Sequence, residues 1–156
     1  MEGLAPLYRR YAELELKYAE ELQRLSETVK HPVLSALFAA VANDSRKHSR
    51  MYLALAELAE SVTPAISEED LRTISSTVER HIEMEASMIR TAKELLDKVE
   101  DVRAKVVLEA ILRDEVDHHK LLVTIRDAVA KAEVLSEQQL WNQVWLDSPW
   151  HGAPGG

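Results

Sequence analysis

Cysteine is absent from the 156 residues, which excludes disulfides, thiolate metal sites, iron–sulfur clusters and cysteine nucleophiles. Any metal bound by this chain must use oxygen and nitrogen ligands. Glycine (4) and proline (5) are few and aromatics make up only 5%, too little turn chemistry and too few β-forming residues for a sandwich or barrel, while 46% apolar residues is too many for a disordered chain. Lys/Arg-rich runs are missing, and 19 basic against 27 acidic residues leave a formal charge of -8, so a nucleic-acid backbone is not an expected partner. No stretch approaches the roughly 18 consecutive apolar residues of a membrane span. The N-terminal MEGLAPLYRRYAELELKYAEEL is too charged for a signal peptide. A cytoplasmic chain with no membrane partner is expected. The sequon at Asn43-Asp44-Ser45 lies inside a helical pattern and is set aside.

What is present is helix-forming sequence interrupted at four places. His31-Pro32 divides a first segment from a second, with proline suited to a helix's first turn. Ser61 to Ile66, containing Thr63-Pro64, divides the second from the third, and Ser67 followed by Glu68, Glu69 and Asp70 offers an N-cap with acids in the first turn. The third pattern runs to about Leu96, and a polar break at Asp97 to Asp101 precedes a fourth that continues to about Val134. Ser136 can cap a short fifth helix carrying Trp141 and Trp145, and the final SPWHGAPGG is irregular. The expectation is an all-α fold: a four-helix bundle over residues 1–135, then a short helix and docking tail over 136–156.

Each long segment carries an apolar stripe at alternating spacings of three and four: Leu7, Tyr11, Leu14, Tyr18, Leu25 in the first; Leu34, Leu37, Val41, Met51, Leu55, Leu58 in the second. Leu71 to Leu96 and Val107 to Val129 continue the pattern in the third and fourth. Carboxylates and histidines fill the gaps in these stripes, where a charge is costly. At about 100° per residue, Asp44 and His48 fall near the centre of the second face, and Glu85 is central on the third with His81 one turn before it. Glu115 and His118 straddle the centre of the fourth, with His119 turned to the flank, and Glu15 lies at the edge of the first, with Glu21 a less central alternative. No convincing residue-by-residue identity reveals an internal duplication.

Height along a bundle gives a second criterion, since antiparallel helices joined by short turns oppose residues equidistant from the turn. Folding the chain near residues 31, 64 and 98 brings Glu15, Asp44, His48, His81, Glu85, Glu115 and His118 into one layer. A structural ion-pair layer would set Arg or Lys against so many acids, yet neither occupies the centre of any stripe. Two divalent ions would supply +4 against the four carboxylates while the histidines bind neutral, so the layer reads as a dinuclear metal site.

Glu115-Val116-Asp117-His118 is a Glu-x-x-His motif on the last long helix; with Glu85 on the third and Glu15 on the first, it resembles the ferritin-like diiron carboxylate superfamily of ferritins, bacterioferritins and rubrerythrins. The resemblance spans about residues 5 to 130. It implies that Glu115 and an acid of the second helix bridge two metals, that Glu15 and Glu85 are terminal carboxylates, and that His48 and His118 are nitrogen ligands. Two departures stand out. Position 45, where the second helix should carry the motif's glutamate, is serine, with Asp44 one residue earlier; and His81 is additional to the usual set. The superfamily also crosses the bundle's length between helices 2 and 3, roughly 40 Å for helices of this size, whereas Ser61 to Ile66 reaches at most about 22 Å. An up-down-up-down bundle, an unwound start of helix 3 and hairpins exchanged between subunits all satisfy that length.

The resulting expectation is a pair of iron ions, or manganese or a mixed pair, delivering electrons to O2 or hydrogen peroxide. Without cysteine there is no four-thiolate reductase module, so turnover needs an external electron donor. Tyr11 and Tyr18 flank Glu15, where they would donate hydrogen bonds or electrons, although stripe tyrosines also serve as core. A homodimer or larger homo-oligomer is expected. Iron storage uses the same ligands, and a bundle whose polar layer fixes register is the alternative without metal. His151 belongs to no ligand motif.

Overall fold

A computed structural model describes residues 3–60 and 66–132, together with Asn142, Trp145 and Leu146, which lie in helical backbone. The four long helices are α1 (Leu4–Thr28), α2 (Pro32–Glu60), α3 (Glu68–Lys98) and α4 (Val102–Ala132), and no strand occurs among the described residues. Pro32 opens α2 as its first residue, where its missing N–H costs nothing. Ser67 caps α3 in a reciprocal box: its hydroxyl accepts from the Asp70 amide at 3.1 Å, and the Asp70 carboxylate accepts from the Ser67 amide at 3.2 Å. Asp101 does similar duty before α4, accepting from the Arg103 amide at 2.8 Å and pairing with its guanidinium, which holds the Asp101 carboxyl well below the usual range. The expected short C-terminal helix falls largely outside the described residues, as do the boundary at 135 and His151.

The chain forms two compact units, residues 1–64 and 65–156, each built on an antiparallel hairpin. In the first, α1 packs on α2 through small residues. Ala5, Ala12, Ala19 and Ser26 recur every seventh position on α1 and are buried, as are Ala42, Ser45, Ser49 and Ala56 on α2. Such a seam lets two backbones approach closely. Ser35 Oγ donates to the Ser26 carbonyl at 2.7 Å near the turn, and Arg9 pairs with Glu60 at the far end, fixing the register along the whole hairpin. The stripe residues Tyr11, Leu14, Tyr18, Leu25, Leu34, Val41, Met51, Leu55 and Leu58 do not form this seam; they are exposed on the hairpin. Two helices share one seam, and the larger apolar side chains of a two-helix layer need a further layer to cover them.

In the second hairpin the seam is larger-grained: Val78, Ile82 and Ala92 of α3 are buried, as are Thr124, Ala128 and Val129 of α4. The Arg126 guanidinium lies 3.7 Å from the Glu79 carboxylate across it. The connection between the hairpins, on which the three alternative topologies turn, runs through residues 61–65, outside the described ones. Among the described residues no helix is long and apolar enough to cross a membrane.

Candidate metal centre

Glu85 projects from the middle of α3, and Glu115 and His118 from the middle of α4, one helical turn apart so that both reach the same side. One donor atom from each lies within 4.8 Å of the other two. His118 Nδ1 is 3.9 Å from both Glu85 Oε1 and Glu115 Oε2. The two carboxylate side chains are only 17% and 12% exposed, the imidazole 54%. Hydrogen bonding to Glu85, then burial, then the charge of Glu85 push the Glu115 carboxyl up to about 6 against the weaker opposing pull of His118. Glu85 Oε2 is buried and has no hydrogen-bond partner. Two half-buried acids without Arg or Lys, one of them with an orphaned oxygen, fit a divalent cation: it supplies the missing positive charge and a bond for the orphaned atom. Oxygen and imidazole donors together are ligands of divalent first-row metal ions.

Hairpin α1–α2 carries a sparser counterpart. Glu15 Oε1 lies 3.6 Å from His48 Nδ1, at the height expected from a turn near residue 31. The pair borders a solvent-open groove of about 370 Å3, also lined by Tyr11, Leu14, Tyr18 and Ser45. Tyr52 stacks between Tyr11 and Tyr8, with ring centroids 5.5 and 6.4 Å away, so all four tyrosines of the chain sit on this hairpin. Glu21 is exposed, beyond the residues that line the groove.

The structure does not bring Asp44 to Glu15 and His48. Its Oδ1 accepts from Lys47 Nζ at 2.7 Å, outside the groove lining. His81 is exposed and stands apart from the Glu85, Glu115 and His118 group. His119 is half-buried and is likewise outside it. The residue that reading the stripes one by one misses is Ser45. Its signal lies in spacing: Glu15, Ser45 and His48 are separated by thirty and three positions, as are Glu85, Glu115 and His118. Ser45 is thus the counterpart of Glu115, and Asp44 that of Asp114, which is exposed.

No curated protein and no solved structure is matched by the chain. A family model described as Rubrerythrin matches residues 8–125, a span that contains every ligand candidate on both hairpins. With four helices, no strand among the described residues and the Glu85, Glu115 and His118 group inside the matched span, the chain belongs to the rubrerythrin family, within the ferritin-like diiron superfamily.

Proposed function

We propose that this protein is a non-haem di-iron oxidoreductase that reduces hydrogen peroxide or O2 at the expense of ferrous iron. The observation that carries the reading is the Glu85, Glu115 and His118 cluster with its orphaned Glu85 Oε2, restated in part by Glu15 and His48. Glu85, Glu115 and His118 hold one metal, and Glu15 and His48 contribute to holding the second. Two ferrous ions held by these residues would supply two electrons per hydrogen peroxide, which with two protons yields two waters. The carboxylates offset the change in metal charge, and the imidazoles keep the metals in place when that charge changes. Tyr11 and Tyr18 border the Glu15 and His48 pair as hydrogen-bond or electron donors. The electrons that restore the ferrous state come from a donor outside these 156 residues.

Anaerobic titration with ferrous iron, followed by rapid mixing with O2 or hydrogen peroxide and detection of ferric absorbance, tests the reading. Two iron ions per chain, oxidised faster by one oxidant than free iron is, are expected. A protein purified without chelator that takes up no iron or manganese would remove it. Oxidation with no preference over free iron would leave a metal buffer instead.

A further inference from the structure

On hairpin α3–α4 the spacing of thirty and three positions assembles two carboxylates and an imidazole; on α1–α2 the same spacing assembles Glu15, Ser45 and His48. One anionic oxygen ligand is therefore missing from the first hairpin, and the side chain that could replace it from the next position, Asp44, is held by Lys47. Ser45 is 5% exposed, and the 370 Å3 groove lies against it. One water's share of liquid volume is about 30 Å3, so there is room for a small anion with solvent. The lining combines three hydroxyl-bearing side chains, Tyr11, Tyr18 and Ser45, which donate to carboxylate oxygens, with Leu14, which suits a carbon end.

The charges agree. On the first hairpin Glu15 supplies -1 against +2 for one divalent ion, which one further monoanion would neutralise, just as Glu85 and Glu115 supply -2 on the second. We infer that the α1–α2 site takes a small monocarboxylate from solution, of formate or acetate size, seated against Ser45 as a third ligand to the metal held by Glu15 and His48. This inference rests on the metal-binding reading above. Among the described residues no Lys or Arg lines the groove, so the anion binds only with the metal, and each strengthens the other by the same factor.

The test is Co(II) titration of the full chain, followed by calorimetry and by the visible bands of bound cobalt, with saturating formate or with chloride at equal ionic strength. Formate should tighten the weaker cobalt event of the wild-type protein about tenfold or more, the scale on which ligand support alters metal affinity; chloride should not. Ser45→Glu should bind that cobalt as tightly without formate and lose the response. Ser45→Ala, which removes the donor and adds no bulk to the seam, should keep the weak affinity and lose most of the response. Cobalt binding that is indifferent to formate in the wild type, or a formate response that survives in Ser45→Glu, overturns the inference and leaves the metal reading intact. A response to bicarbonate alone overturns the carboxylate class, and failure to bind cobalt at all overturns both readings.

Discussion

The carboxyl groups of Glu85 and Glu115 meet across the α3–α4 hairpin, and the proximity of Glu85 is the main reason that the Glu115 carboxyl is pushed up to about 6. A buried acid whose native value is raised holds its proton more tightly folded than unfolded. Its contribution to the stability of the metal-free protein is therefore complete below about pH 4.5 and is lost as pH rises through 6. Relative to Glu115→Gln, the metal-free wild type should lose melting temperature between pH 5 and pH 7. A metal must displace that proton, so calorimetry near pH 5.5 in buffers of different ionisation enthalpy should register proton release by the wild type and markedly less by Glu115→Gln. Equal proton release in the two proteins would show that Glu115 is not a ligand.

Glu115→Ala and His118→Ala should each abolish binding of at least one metal while leaving the helical signal intact, because truncating Glu115 removes repulsion from Glu85 along with the ligand and the His118 side chain is half exposed. In the wild type, metal at a hundred times its dissociation constant adds about 2.7 kcal/mol to the native state, a rise of roughly 5–10 °C in melting temperature for a chain of this size. Either variant should lose most of that rise. Unchanged stoichiometry in both, read by elemental analysis, would place the metal elsewhere.

Helix ends and turns were legible because their chemistry is local. Ser67 ahead of Glu68, Glu69 and Asp70 reads as an N-cap with acids in the first turn, to which the structure adds the reciprocal bond from Asp70, and His31-Pro32 marks a helix start. The height argument also reaches Glu15 and His48, since it needs only a tight turn and a regular rise per residue. The seam of the first hairpin was not legible. Hydrophobic periodicity ranks side chains by size, and so selects Tyr11, Leu14 and Tyr18, whereas close approach of two backbones selects the smallest residues, Ala5, Ala12, Ala19 and Ser26. Angle alone also fails to separate Asp44 from Ser45, adjacent positions on one helix. What distinguishes them is Lys47, which draws the Asp44 carboxylate to itself, and the groove, which Ser45 lines and Asp44 does not.

That difference makes Asp44 a sharp negative control. Asp44→Asn should leave metal stoichiometry and affinity unchanged and cost at most about 0.5 kcal/mol of stability, the scale of an exposed ion pair three positions apart on a helix. A loss of metal comparable to that of Glu115→Ala would mean that Asp44 leaves Lys47 and turns to the metal when the protein is loaded.

The remaining test separates Glu15 from Glu21, two acids on α1 about 9 Å apart along the helix axis. Glu15 reaches to within 3.6 Å of His48 and lines the groove, whereas Glu21 is exposed outside it. Glu15→Gln keeps the shape and hydrogen-bonding capacity of the side chain but removes the charge, so it should weaken the second metal by about tenfold or more and slow oxidation of ferrous iron. Glu21→Gln should change neither. The comparison probes the register of the hairpin as much as the ligand, because the Arg9 to Glu60 pair and the Ser35 to Ser26 bond set which residues of α1 face His48. A reversed outcome, with Glu21 required and Glu15 dispensable, would require α1 to slide by nearly two turns against α2. That slide would break both of those contacts and move Ala12 and Ala19 out of the seam.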